Sequence, residues 1–157
     1  MTMAPTPLAG PSLEYLCAVD VSFGEVVTAT TPTGTRMLFP ATGGSVDGPR
    51  LRGEIVPGSI DWVTVGDDGI GRVDVHAMIR THDDAVVQLT ASGRTVLGNH
   101  AAAFLRGDEV SGDAAYIRIC PLFDSADPRY AWLSGIVTVA RCSLSMRAIG
   151  YRISRLL

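Results

Sequence analysis

Few of the chain's reactive side chains share a face with one another. The alternating run Gly71–Arg80 is the clearest exception. Val73, Val75, Ala77 and Ile79 point one way along it, and Asp74, His76, Met78 and Arg80 point the other. An imidazole titrates nearer neutral pH than any other unperturbed side chain, and the Asp74 carboxylate two residues away can fix its tautomer. His76 and Asp74 are therefore the candidate acid–base pair. Two further runs carry the same mixture. Tyr116, Arg118, Cys120 and Leu122 share one face of Ala115–Phe123, opposite Ile117 and Ile119. After Pro128, Tyr130, Trp132 and Ser134 share a face of a third run. Rows of large amphipathic and ionisable groups suit an apolar pocket with a few directed polar contacts. The other reading is an aliphatic core face backed by a solvated polar one. In a pocket each buried charge needs a partner, and Asp74–Arg80 and Arg118–Asp124 are the natural pairs.

Other chemistries lack their residues. The chain has no lysine, so all 13 basic residues are arginine and a lysine Schiff base is excluded. Three histidines without i, i+2 or i, i+4 pairing form no metal-ligand pattern. Cys17, Cys120 and Cys142 are odd in number and lack Cys-x-x-Cys spacing, which predicts free, mostly buried thiols rather than a disulfide or zinc framework. There is no Gly-x-Ser-x-Gly elbow, Walker loop or dinucleotide fingerprint; Gly66-Asp-Asp-Gly-Ile-Gly71 has the wrong order for the last. No cofactor is expected. Formal net charge is −3, and no stretch of sequence gathers basic residues, which points away from nucleic acid. The N-terminal stretch has neither the basic nor the apolar region of a signal peptide, and no apolar run reaches membrane-spanning length. A cytoplasmic protein without membrane contact is expected.

The elements that must position these residues are short. Residues 1–12, rich in Pro, Thr and Ala, read as a flexible lead-in, and 13–157 as one domain. Strands are predicted over Leu13–Phe23, Val26–Thr31, Arg36–Pro40, Arg50–Val56, Trp62–Val65, Gly71–Arg80, Ala85–Ser92, Tyr116–Phe123, Ala131–Ala140 and Ala148–Arg155. Breaks at Pro32-Thr33-Gly34, Gly43-Gly44, Pro57-Gly58, Asp67-Asp68-Gly69 and His82-Asp83-Asp84 carry turn chemistry. A single short helix is predicted over His100–Arg106, capped by Asn99 and stopped by Gly107. This pattern describes an all-β domain, most simply a closed up-and-down barrel with an interior large enough for a small organic molecule. Apolar residues on both faces of some runs (Ile136, Val137, Val139) predict a homodimer.

Four strings in fixed order carry a family resemblance: Asp47-Gly-Pro-Arg-Leu-Arg-Gly53, Val56-Pro-Gly-Ser-Ile-Asp-Trp62, Asp74 with Ile79-Arg-Thr81, and Pro128-Arg-Tyr-Ala-Trp-Leu133. Together they resemble domain of unknown function 3237, the uncharacterised protein family also numbered 0311, from Leu13 to Arg155. The resemblance implies an eight-stranded, mostly antiparallel barrel like that of allene oxide cyclase, a calycin-like architecture, around a cavity. Positions matching the family's motifs are Gly44, Gly53, Pro57, Gly58, Asp61, Trp62, Asp74, Arg80, Tyr116, Arg118, Phe123, Tyr130 and Trp132. The chain departs from the usual pattern with His76 for Arg, Ala77 for Tyr, Asp84 for Gly, Gln88 for an aromatic, Asp124 for Glu and Ser134 for Asn.

The leading expectation is a cofactor-independent isomerase, cyclase or lyase acting on a hydrophobic small molecule, in natural-product metabolism. His76, Asp74 and Arg118 are its expected catalytic residues. Trp62, Met78, Arg80, Gln88, Tyr116 and Trp132 are the expected substrate contacts. A barrel can orient such a substrate and exclude water, and arginine can hold an enolate or carboxylate. The alternatives are a lipocalin-like binding protein without chemistry and a structural oligomerisation module.

Overall fold

The computed structural model of the chain describes residues 8–157, so most of the predicted lead-in lies outside the described residues. The strands are β1 (Leu13–Phe23), β2 (Val27–Thr31), β3 (Gly34–Asp47), β4 (Gly53–Ile55), β5 (Ile60–Val65), β6 (Gly71–Thr81), β7 (Val86–Val96), β8 (Tyr116–Asp124), β9 (Thr138–Leu144) and β10 (Ala148–Leu156). Strands β6 to β10 form a continuous antiparallel meander. Strand β1 pairs with β10 on one side and β3 on the other, which closes the wall. Strands β4 and β5 both lie between β3 and β6, so they form two halves of a single stave. The result is a closed antiparallel barrel of eight staves, with β2 hanging from the first half of β3 as an outer strand. The closed, eight-stranded antiparallel barrel that the resemblance implied is present.

Closure follows from alternation. Along β6 every second residue from Gly71 to Thr81 is buried, and the residues between are exposed. Ile79, Val87, Ile117, Leu133 and Ile153 are completely buried, alongside Phe39 and Phe123. Each such side chain contributes roughly 1.5–3 kcal/mol by leaving water. Glycine is required at Gly53, where a Cβ would collide with the carbonyl of Arg80 on the facing strand.

Several predicted boundaries are corrected. Gly43-Gly44 is no turn but lies inside the long β3. Ala131–Gly135 is a 3-10 helix rather than a strand, so Tyr130, Trp132 and Ser134 do not form a strand face. Its Leu133 is driven into the barrel end while the Arg50 guanidinium stacks 3.7 Å over Trp132. The predicted helix is a 3-10 turn, Gly98–His100, running into α1 (Ala101–Leu105), with no side-chain cap from Asn99; Gly107 ends it at φ 97°. Cys17 and Cys142 are buried and free, whereas Cys120 is exposed. Among the described residues, no helix is long and apolar enough to cross a membrane.

Candidate functional site

The inward positions of β5 and β10 carry three polar side chains; Arg155 pairs with Glu14 near the end of β10, and the other two meet. Asp61 stands in phase with Val63 on β5, and Tyr151 stands between Ile149 and Ile153 on β10. The Tyr151 hydroxyl donates a 3.0 Å hydrogen bond to Asp61 Oδ2 in the barrel interior. Burial pushes the Asp61 carboxyl up to about 7, an effect that the Tyr151 hydrogen bond partly opposes. Burial also raises the Tyr151 phenol, so the pair is a neutral acid beside a neutral phenol at mildly acidic pH. Since Tyr151 occupies Oδ2, the carboxyl proton belongs on Oδ1, free to be given away. A titratable group so displaced inside an apolar enclosure marks a candidate site of proton chemistry.

The space beside it is small. Val19, Val21, Ala41, Ser59, Ala77 and Leu89 are among the walls of a cavity of about 20 Å³. That is room for about one water molecule. The expected ligand-sized interior is therefore corrected: Phe39, Phe123 and the aliphatic rows fill it.

The wall beside this cavity is interrupted. Between β4 and β5 the residues Val56–Ser59 leave the stave, with Gly58 at φ 94°. Val56 N–H bonds to the Met78 carbonyl at 2.9 Å, and Ser59 Oγ accepts from Met78 N–H at 3.2 Å. Outside this break lies a dent of about 360 Å³ flanked by Pro57, His76, Met78 and Gln88. Ser59, Ala77 and Leu89 line both the dent and the inner cavity, so one thickness of chain separates them.

The sequence-predicted residues are placed otherwise than expected. Asp74, His76, Met78 and Arg80 lie on the outer face of β6, because the aliphatic alternation takes the inside. His76 Nε2 and Asp74 Oδ1 do meet at 3.0 Å, but their side chains are 62% and 61% exposed. His76→Gln is thus expected to alter stability by less than about 0.5 kcal/mol, checked by urea unfolding. Trp62 is half-buried on the outer face under the Arg36 guanidinium, 4.5 Å from the ring centroid. Tyr116 is 56% exposed, and Arg118 is half-buried with its Nη1 on the Gly112 and Ile117 carbonyls. Neither Asp74–Arg80 nor Arg118–Asp124 is an ion pair. Residues six apart on one strand stand about 20 Å apart. Of the predicted residues, the structure brings together His76, Met78 and Gln88 at the dent, with Asp74 beside them. It places Arg80, Tyr116, Arg118 and Trp132 elsewhere. Sequence reasoning assigned no role to Tyr151 and noted Asp61 only as a motif position. Their signal was a polar side chain in phase with aliphatic neighbours, Val63 for Asp61 and Ile149 and Ile153 for Tyr151.

A family model described as "Protein of unknown function (DUF3237)" matches residues 11–156. The chain belongs to the DUF3237 family. A UPF0311 protein of Clostridium acetobutylicum is 32% identical over 111 residues, covering 70% of each chain. The hydroalkoxylation enzyme phnH of Penicillium herquei is 28% identical over 133 residues, covering 84% of this chain and 72% of that protein. The crystal structure of a conserved protein of unknown function from Rhodopseudomonas palustris superposes with a TM-score of 0.90 at 22% identity, over 96% of this chain and all of the other. The solved bacterial protein thus shares this barrel, and one relative in sequence is named as an enzyme.

Proposed function

We propose that the chain is a cofactor-independent enzyme that adds a substrate's own O–H across its C=C bond, closing a ring. The observation that carries this reading is the buried Asp61 carboxyl, held near neutral pKa against Tyr151. Likeness to a hydroalkoxylation enzyme over most of the chain supports the reaction class. Asp61 Oδ1–H gives its proton to one alkene carbon as the substrate hydroxyl oxygen forms the C–O bond at the other. The hydroxyl proton then returns to the carboxylate, which Tyr151 has held by its hydrogen bond. Atoms and electrons balance without oxidant or metal, and the product is an isomer of the substrate. A dry apolar wall favours such a step by keeping water from the cationic carbon.

The substrate's reacting end reaches Asp61 through the thin wall at Val56–Ser59. Its remainder rests in the outer dent against Met78, Gln88 and His76. Opening requires only the few hydrogen bonds of the strand break rather than a continuous ladder.

A panel of alkenyl phenols and alkenyl alcohols, incubated with the protein in D₂O, tests the proposal. Products of unchanged elemental composition, carrying one deuterium on carbon, are expected; no turnover across the panel, or turnover equal in Asp61→Asn, overturns it. Activity should be retained below about pH 7 and lost above it, as Asp61 ionises. Tyr151→Phe removes a bond that favours the carboxylate, so that alkaline limb should move to higher pH. A pH–kcat profile of the two proteins checks the direction.

A further inference from the structure

Five arginines far apart in sequence stand in one line across the outer wall. Register places Arg72 opposite Arg94, Arg94 opposite Arg118, Arg118 opposite Arg141, and Arg141 opposite Arg152. With strands about 4.8 Å apart, the row crosses five strands in roughly 19 Å. Like charges directly opposite each other destabilise a sheet, so such a row needs compensation. Three members have it: Arg72 pairs with Asp68 at 2.7 Å, Arg141 with Asp113 at 2.6 Å, and Arg152 with Asp20 at 3.2 Å. The other two, Arg94 and Arg118, do not. Arg94 donates only to the Gly93 carbonyl at 2.8 Å, and Arg118 to the Gly112 and Ile117 carbonyls at 3.1 Å. Among the described residues neither meets a carboxylate. Each guanidinium has five N–H donors, so most of theirs remain unspent.

Arg118 also lines a groove of about 860 Å³ over β1, β10 and β9, walled by the segment Glu109–Asp113. Its lining is mixed: Ser22, Ser143 and Gly150 lie beside Val21, Val139 and Ala148, the neutralised Arg141 and Arg152 lie beyond them, and Glu109 stands on the wall. The volume is that of a small-molecule site. Arg118 stands at its edge, and Arg94 lies opposite Arg118 on the next strand, just outside the lining.

We propose that a small anionic molecule binds along this groove, its carboxylate or phosphate group seated at the groove's edge between Arg94 and Arg118. An oxyanion there turns a repulsive pair into two charge-assisted, fork-like contacts. The rest of the ligand lies along the mixed lining toward Arg152. The site is on the outside of the barrel, independent of Asp61 and of the reaction proposed for it.

Inorganic phosphate and benzoate, titrated separately into the full-length protein, test the two anion chemistries. Arginine Nε–H resonances and the thermal midpoint are followed, with sodium chloride at matched ionic strength as control. Saturable shifts at Arg94 and Arg118, with a rise in Tm beyond that in chloride, are expected for at least one probe; the tighter one identifies the anion class. Arg94→Gln and Arg118→Gln should each weaken binding by roughly tenfold, while Arg72→Gln should stay within about twofold. Arg94 is exposed and bonded only to its neighbour's carbonyl, so Arg94→Gln should fold even where Arg118→Gln does not. In anion-free, low-salt buffer its Tm should equal or exceed that of the parent, because repulsion is relieved. Unsaturable shifts spread over all arginines, or unchanged affinity in Arg94→Gln, overturn the proposal. So does a failure of both probes to act beyond chloride. No outcome depends on turnover.

Discussion

Asp61→Asn is expected to abolish turnover while making the protein more stable in alkaline solution. Removing a general acid typically costs 10²- to 10⁴-fold in rate, and the amide has no proton of suitable acidity to give. The stability effect follows from linkage. The folded chain holds the Asp61 proton up to about pH 7, whereas the unfolded chain releases it near 3.8. Between those values the native state binds more protons, so stability falls as pH rises, and the loss is complete above about 7. At about 1.4 kcal/mol per pH unit, the stabilisation lost by pH 8 is of the order of 4 kcal/mol. Asparagine cannot ionise and still accepts the Tyr151 hydrogen bond through its carbonyl oxygen. The variant should therefore match the parent near pH 4 and gain on it steadily up to about pH 8. Paired urea unfolding curves across that range, with isomer formation measured in parallel, check both halves. A variant destabilised equally at every pH would mean that Asp61 is an ordinary structural hydrogen-bond partner.

Leu133→Ala is expected to carry the largest purely structural cost, about 2–5 kcal/mol from lost burial plus the cavity left behind. Leu133 is fully buried although it sits in the connection between β8 and β9. Its 3-10 helix cannot collapse into the gap, because the loop is pinned at several points. Tyr130 donates to Asp83 at 2.8 Å, Arg129 bridges Asp83 and Asp127 at 2.9 and 2.8 Å, and Arg50 stacks on Trp132. Trp132 and Tyr130 thus secure a plug at one end of the barrel. Thermal unfolding should show a large fall in Tm. The pH dependence of any activity should be unchanged, since the substitution leaves the Asp61–Tyr151 bond alone.

Much of the fold was legible because strand alternation is a local property. The period of two in Gly71–Thr81 and in Ala148–Leu156 states which residues share a face, and turn residues state where most strands stop. Two breaks misled for local reasons. Gly43-Gly44 looks like a turn, yet tertiary pairing with β1 carries the strand through it. Ala131–Gly135 alternates like a strand, yet plugging the barrel end bends it into a helix.

Alternation names two faces but not which is inside. For β6 the sum of burial decides it: four aliphatic side chains gain more from leaving water than Asp74, His76, Met78 and Arg80 would. That placed the expected acid–base pair on the outer wall. Asp61 and Tyr151, ninety residues apart, became partners only when the sheet closed. The arginine row was equally hidden, since its members occupy five strands and no stretch of sequence is basic. By itself the sequence determined most of the strands, their two faces and the family, because these rest on nearest-neighbour geometry and motif order. Only the tertiary structure decided that the interior is nearly full, and which acid lies within it. Register and closure set those distances, and they are properties of the whole sheet.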